Sequence, residues 1–246
     1  KIALSGIPAG ATIKAAYLYW AILNPTEGAN FKNVTVTTAK TGGVPVTGLM
    51  IGSGGDPCWG AGNGYAYWAS ITSIVAAEGN GNYNLTGFAS GRVDGADPFL
   101  VGSTAPMAEG ATIVVIFEKL GAAPYPMIRI QIFDGYAMTS SAVLTLTPNW
   151  GFAATSPAPP VRTTFIGADG QSNSSEPGST FNGRTIVPPY WDGKDSQAPA
   201  AKFKYGNLWD TETVSVGKFV NPGNTGATIT TRGGPDCHAW VAHVIS

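Results

Sequence analysis

The sequence predicts an all-β protein built as two jelly-roll-like β-sandwich units with little or no helix. Three observations lead to this prediction: short segments rich in β-branched and aromatic residues, turn-forming residues at their ends, and no long segment with helical periodicity. The strand segments are ATIKAAYLYWAIL, KNVTVTTA, NYNLTGFA, ATIVVIFEKL, MIRIQIFDG, SAVLTLTP, VRTTFIG, ETVSVGKFV, ATITTR and HAWVAHVIS. The best helical candidate is a single turn in SITSIVAAEG, capped by Ser70 or Thr72 and ended by Gly79.

The first long strand segment, ATIKAAYLYW, shows how the two faces of a strand are assigned. Alternate residues of a strand point to opposite sides of the sheet. One face therefore carries Ile13, Ala15, Tyr17 and Tyr19, and the other carries Thr12, Lys14, Ala16, Leu18 and Trp20. The polar start and apolar end predict a strand that begins partly exposed and ends buried on both faces.

The tetrapeptide GATI occurs three times, at 10–13, 110–113 and 226–229. We interpret it as a recurring device in which a glycine-led turn feeds a strand with an inward-facing Ile. The alternative is chance recurrence in a chain rich in these residue types.

The surroundings of these tetrapeptides also correspond. Residues 68–88 and 209–231 each begin with Trp, continue as a short polar strand and a turn containing Val, and reach a second strand through a Gly/Asn-rich hinge. Each block precedes an apolar strand, ATIVVIFEKL or CHAWVAHVIS. We therefore hypothesise two sandwich units, 1–122 and 123–246, that meet at the segment GAAPYP.

The composition excludes several classes of function. Charged residues make up 12% of the chain and the formal net charge is −1, so no broad basic field is available for nucleic acid. The longest apolar runs, such as ATIVVIF, fall far short of the ~20 residues that span a bilayer. We predict neither nucleic-acid binding nor membrane insertion. The region between residues 150 and 200 is rich in turn formers and is expected to form long loops.

Catalytic motifs are weak, and we predict that the protein is not an enzyme. Ser53 lies in IGSGG, where Ile51 replaces the first glycine of a nucleophile elbow. His238 and His243 are an odd number of residues apart, which predicts opposite faces of one strand and structural roles for both. Carboxylates occur in loops, but no spacing singles out a pair for glycoside chemistry; they are Asp94, Asp97, Asp169, Asp192, Asp195, Asp210 and Glu212.

A calcium clip is the best metal candidate. The segment GADGQSNSSE offers Asp169, Asn173 and Glu176 as hard oxygen ligands within one turn-rich loop. The spacing is not that of an EF-hand, and the alternative is that Asp-Gly simply forms a turn. No other cofactor is predicted.

The tryptophans divide between strands and loops. Those within apolar strand patterns are expected in the core: Trp20, Trp68 and Trp240. Those beside Gly or Pro in loops are candidates for stacking on a sugar or on another subunit: Trp59, Trp150 and Trp191. Packing of these loop rings on their own domain is the alternative.

Four stretches of the chain carry a resemblance to a known family: IPAGATIKAAYLYWAIL, PCWG, NLWDTETVSV and DCHAWVAHVIS. Together they resemble a poorly characterised family of β-rich extracellular domains found in secreted and cell-surface proteins of bacteria and archaea, often beside adhesin-like repeat modules. The resemblance implies a β-rich fold and an extracellular, cell-surface location. It supplies no catalytic residues.

An extracellular location bears on the two cysteines. Cys58 and Cys237 each lie in a Gly/Pro-rich turn, and the sequence contains no third cysteine to compete. In an oxidising compartment this predicts one disulfide, which joins the first unit to the end of the second.

We therefore expect a non-catalytic, extracellular structural or adhesive protein that assembles with copies of itself into a filament or surface layer. The opening strand KIALSGI is suited to addition to a neighbour's sheet, with Lys1, Ile2, Leu4 and Ile7 at the interface. Its alternative partner is a strand of its own sandwich. The alternative function is a carbohydrate-binding module with glycans as partners, and a glycoside-acting enzyme is third.

Overall fold

The computed structural model describes residues 1–56, 58–121, 128–139, 142–173, 178–186, 191–194, 203–205, 207–232, 234 and 238–246. Within them the fold is all-β, as predicted, with four antiparallel sheets of four strands each. The finer jelly-roll description remains a prediction. The boundary predicted at GAAPYP falls almost wholly outside the described residues.

Each sheet takes its strands from one side of that boundary. The N-terminal half, residues 1–121, forms strands β1 (Ile2–Leu4), β2 (Thr12–Leu23), β3 (Asn33–Thr37), β4 (Val44–Thr47), β5 (Leu49–Gly55), β6 (Asn63–Ser70), β7 (Gly81–Thr86) and β8 (Met107–Glu118). It also holds the helices α1 (Thr72–Glu78) and α2 (Pro98–Val101). Its outer sheet has the order β1-β7-β3-β4, and its inner sheet has the order β5-β6-β2-β8.

The C-terminal half, residues 128–246, forms the second pair of sheets. Its strands are β9 (Gln131–Met138), β10 (Leu144–Leu146), β11 (Arg162–Ala168), β12 (Thr180–Phe181), β13 (Arg184–Thr185), β14 (Trp209–Ser215), β15 (Ile229–Thr231) and β16 (Ala239–Ile245), and a 3-10 helix spans Gly217–Phe219. The outer sheet has the order β10-β15-β12-β13, and the inner sheet has the order β14-β11-β16-β9.

The two halves repeat one strand order. The outer orders match when β1, β7, β3 and β4 are aligned with β10, β15, β12 and β13, and the inner order β6-β2-β8 matches β14-β11-β16. Helix α1 and the 3-10 helix occupy the same place, between β6 and β7 and between β14 and β15. Only β5 and β9 fall outside this correspondence among the described strands. The division into two sandwich units, 1–122 and 123–246, stays a prediction.

The GATI tetrapeptide is not the element that repeats. Gly10 precedes β2 and Gly226 precedes β15, but Gly110 lies inside β8. The three copies therefore occupy non-equivalent positions, and the interpretation as one recurring device is wrong.

Three apolar layers hold the sheets together. One core lies within each sandwich, and a third lies between the two inner sheets. Strand β2 serves two of these cores: Leu18 and Trp20 face the N-terminal sandwich core, whereas Tyr19 and Ala21 face the layer between the inner sheets. The predicted faces are confirmed from Ala16 to Trp20, and so is the burial toward the C-terminal end. The face predicted for Ile13 is wrong: it packs on the N-terminal sandwich core, because the pairing of β2 with β8 shifts between Ile13 and Ala15.

The helix predicted near residue 72 is longer than one turn. Helix α1 ends at Gly79 with a φ of 74°, as predicted. Its N-cap is Ile71, without a side-chain cap, because the Thr72 hydroxyl instead accepts a hydrogen bond from the Ala16 amide at 3.0 Å. The predicted cap by Ser70 or Thr72 is therefore wrong.

Candidate functional site

A β-bulge at the same place in each half reorients side chains between the inner sheets. The pairing of β2 with β8 shifts between Ala21 and Ile22, so that Glu109 is the extra residue of β8. The pairing of β11 with β16 shifts between Ile166 and Gly167, where Val241 is extra. A bulge places two residues opposite one and changes the phase of the strand.

The bulge corrects the prediction for the histidines. His238 packs on Trp191, with ring centroids 3.5 Å apart, and His243 meets Phe165 edge-on at 4.5 Å. Phe165 and Trp191 belong to the same sandwich core, so both histidines lie on one face of the strand and not on opposite faces. Two residues five apart would normally point to opposite faces of a strand. Because Val241 is an extra residue between them, both histidines point to the same face.

Both histidines have structural partners. The hydroxyl of Thr139 bonds Nδ1 of His238, and that of Thr163 bonds Nε2 of His243. Burial lowers the pKa of each imidazole to about 3, so both are neutral near pH 7. This geometry agrees with the structural roles expected for them.

Glu109 is a buried acidic side chain on strand β8. It is 3% exposed, and neither carboxyl oxygen has a hydrogen-bond partner among the described residues. Burial raises the pKa of this carboxyl well above its ordinary value of 4.5, and the negative charges of Asp169 and Asp56 raise it further. Glu109 thus holds its proton more tightly than an ordinary carboxyl group does, beside two other acidic side chains.

The neighbouring carboxylates come from loops of both halves. Asp56 follows β5 and accepts hydrogen bonds from the backbone amides of Cys58, Trp59 and Ala61. Asp169 follows β11, and its Oδ1 accepts a hydrogen bond from the Trp59 indole at 2.5 Å. The loop after β5 is therefore tied to the C-terminal half through Trp59.

A raised carboxyl pKa next to a carboxylate is also what glycoside hydrolysis requires. Glu109 and Asp169 are nearly completely buried, and neither lines either of the two cavities described below. In the sequence, Glu109 stands out only as a single acidic residue in the apolar segment MAEGATIVVIF. Its position between the inner sheets depends on the bulge in β8.

Tyr136 of β9 packs beside this group against a surface of glycines. A Cβ on Gly64 would overlap the Tyr136 ring, and one on Gly52 would lie 2.5 Å from the Tyr136 amide nitrogen. The Tyr136 hydroxyl donates to the Gly55 carbonyl at 3.3 Å. Burial raises the pKa of the phenol, as does the neighbouring Glu109. The glycine-rich sequence of β5 and β6 thus lets the two halves approach closely.

A small cavity opens between the inner sheets and takes residues from both halves. It has a volume of about 200 Å³ and is lined by Tyr17 and Tyr19 of β2, Trp68 of β6, and Ile132 and Asp134 of β9. We call it the corner cavity, because the Tyr17 and Trp68 rings meet at 83° with centroids 5.3 Å apart. The Tyr19 hydroxyl donates to Asp134 Oδ2 at 3.1 Å.

A second cavity, of about 370 Å³, lies among loops of the C-terminal half. Its wall is formed by Gly, Ala, Thr and Pro residues and by three amides, Asn149, Asn182 and Asn224. Without aromatic or charged side chains, this wall offers few groups that could select a ligand.

The calcium prediction gains no support from the described residues. Asp169 is buried and turned toward Trp59, whereas Asn173 is exposed. Glu176 lies outside the described residues. In the described part of the chain, no group of three or more His, Cys, Asp or Glu residues could hold a metal ion. The two described members of the clip therefore lie in different surroundings: Asp169 is in the interior and Asn173 is at the surface.

The loop tryptophans are mostly buried, contrary to the expectation of exposed stacking rings. Trp150 is 7% exposed and Trp191 is 0% exposed, because both pack into the C-terminal sandwich core. Trp59 is partly buried, and its indole is engaged by Asp169. Trp20 and Trp240 lie in the interior as expected, but Trp68 is only partly buried and lines the corner cavity.

The opening strand pairs within its own chain. Ile2 lies opposite Tyr83 of β7, and Ile2, Leu4 and Ile7 pack against the N-terminal sandwich core. Lys1 is exposed. This is the intramolecular alternative, so the strand predicted to be donated to a neighbour already fills its own sheet.

The disulfide remains a prediction. No described cysteine is a free thiol, and Cys237 lies outside the described residues.

None of the described helices has the length and apolar character needed to cross a membrane. A comparison with protein-family models gives no match for the chain. No curated protein and no solved structure matches it significantly.

Proposed function

We propose that this chain is a non-catalytic, extracellular structural or adhesive protein that assembles with copies of itself. The observation that supports this proposal best is the edge strand β5. Among the described strands it pairs only with β6, and its sequence LMIGSGG contains neither a charged residue nor proline. Leu49 and Met50, at its start, are 63% and 40% exposed.

Such an edge is unusual because folded proteins normally protect exposed strands. Other edges of the described sheets carry protection: β4 contains Pro45, and β1, β10 and β13 are at most three residues long. The other inner-sheet edges, β8, β9 and β14, each contain an acidic residue. Strand β5 carries a bulge at Ile51, but it is the one edge among the described sheets that combines this length with neither charge nor proline, and we propose it as the place where another strand adds.

The partner we propose is a second copy of the chain. An edge that binds a different surface of the next copy gives a head-to-tail contact, which propagates into a filament or layer. The burial of Glu109 and Asp169 away from the two cavities supports a non-catalytic role. The resemblance noted above supports the extracellular location.

The proposal is tested by placing a positive charge on strand β5. Leu49→Lys should reduce concentration-dependent assembly, measured by light scattering and negative-stain microscopy, because an edge lysine opposes strand addition. The matched control is Val93→Lys, which adds the same charge at an exposed apolar loop residue and should assemble as the wild type does. Circular dichroism checks that both variants keep the fold. A wild type that stays monomeric at high concentration, or a Leu49→Lys protein that assembles normally, would overturn the proposal.

Carbohydrate binding remains the weaker alternative. Its expected stacking rings at Trp150 and Trp191 are buried, which leaves Trp59 and the corner cavity as the only aromatic surfaces discussed above that a sugar could reach.

A further inference from the structure

We propose that the corner cavity binds an organic ammonium group. Its lining combines three aromatic side chains, Tyr17, Tyr19 and Trp68, with Ile132 and with the exposed acid Asp134. The face of an aromatic ring carries negative electrostatic potential and attracts cations. Trp68 lies opposite Leu49 of β5, so the cavity adjoins the proposed assembly edge, but ligand binding there does not require assembly.

The angle between the rings favours a compact ligand. Tyr17 and Trp68 meet at 83°, so they form a corner rather than a flat platform. A sugar stacks its flat face on a single ring, whereas a rounded ammonium group can contact both walls of a corner. Three aromatic side chains around one small space are the arrangement by which proteins recognise alkylammonium ligands.

Asp134 supplies the complementary charge. Its Oδ2 accepts a hydrogen bond from the Tyr19 hydroxyl at 3.1 Å, which fixes the carboxylate beside the rings. A carboxylate has further lone pairs that can accept an N–H donor from a ligand. The salt bridges among the described residues involve other acids, namely Glu118, Asp94 and Asp192, so no described cation neutralises Asp134.

The volume limits the size of the ligand. At about 200 Å³ the cavity is smaller than the roughly 300–1,000 Å³ typical of sites for whole small molecules. It therefore suits the end of a chain, either the side-chain ammonium of a lysine or a trimethylammonium head group. These two sources differ in one property: only the primary ammonium can donate a hydrogen bond to Asp134.

The test uses three small probes: butylammonium, tetramethylammonium and neutral 1-butanol. Binding is followed through the indole N–H resonance of Trp68 in a proton–nitrogen NMR spectrum, assigned with a Trp68→Phe variant. We expect both cations to shift this resonance saturably and the alcohol not to do so. Preference for butylammonium assigns a lysine-like ligand, and preference for tetramethylammonium assigns a methylated one.

Asp134→Asn is the decisive variant, because it removes the charge and keeps the shape and the acceptor for Tyr19. It should weaken butylammonium binding by at least about fivefold, the scale of one cation–π or charge contact. Asp94→Asn, at an exposed acid in a loop distant in sequence from the cavity residues, is the matched control and should bind as the wild type does. Equal binding of 1-butanol, or unchanged affinity in Asp134→Asn, would overturn the proposal. So would the absence of any shift with either cation.

Discussion

Replacing Glu109 with glutamine tests the central feature of the interface between the two halves. Glutamine keeps the shape of the side chain and is neutral at every pH. Glu109 is buried, its oxygens have no hydrogen-bond partner among the described residues, and its pKa is raised above 4.5 by burial and by Asp169 and Asp56. The two proteins should therefore differ in stability in a way that depends on pH.

The sign of this dependence follows from proton counting. Between pH 4.5 and the raised pKa, the folded state holds a proton on Glu109 that the unfolded state has already lost. The contribution of Glu109 to the free energy of unfolding therefore falls as the pH rises through this window, by about 1.4 kcal/mol for each pH unit. Glu109→Gln removes this loss, so the variant should become progressively more stable than the wild type as the pH increases.

Urea unfolding of both proteins at roughly pH 5, 6 and 7 measures the difference. Taking the difference between the two proteins cancels the contribution of the buried histidines, which titrate alike in both. Glu118→Gln is the control on the same strand: its side chain is partly exposed and pairs with Lys14 at 2.6 Å, so its loss should cost no more than about 1 kcal/mol. A stability difference between Glu109→Gln and the wild type that is the same at every pH would refute the protonated, buried carboxyl.

Two further predictions concern the contact between the halves. Gly64→Ala should lower the free energy of unfolding in urea by about 1–3 kcal/mol, because the new methyl group overlaps the Tyr136 ring. The control Gly42→Ala should have little effect, because a Cβ at that position would have no atom within 4 Å. Equal stability of the two variants would show that the close approach of Tyr136 is absent. The two cysteines should give no free thiol in denatured, unreduced protein, and reduction should destabilise the fold by about 4–5 kcal/mol on the chain-entropy estimate; two free thiols would contradict the disulfide.

The sequence by itself determined the local features. Alternation in ATIKAAYLYW assigned Leu18 and Trp20 to one core and Tyr19 to the other face, because the period of two is fixed by the strand backbone. Gly79 marked the end of helix α1, because a glycine accepts the left-handed conformation found there. The matching blocks at 68–88 and 209–231 indicated the repeated strand order, since each codes for the same succession of strand, turn and strand.

The phase of a strand beyond a bulge could not be predicted from alternation alone. A bulge forms where a strand and its neighbour differ by one residue, so its position depends on pairing with a distant segment. For this reason His238 and His243 were assigned to opposite faces, and Glu109 was not recognised as a buried acid.

Burial of the loop tryptophans was decided by the tertiary structure as well. Trp150 and Trp191 carry the local sequence of exposed loop residues, but the C-terminal sandwich core covers them. The corner cavity likewise exists only where β2 and β6 of one half meet β9 of the other. Local sequence specifies which way a side chain points within its own strand. The residues that surround it come from segments far apart in the chain, as Trp68 and Asp134 do around the corner cavity.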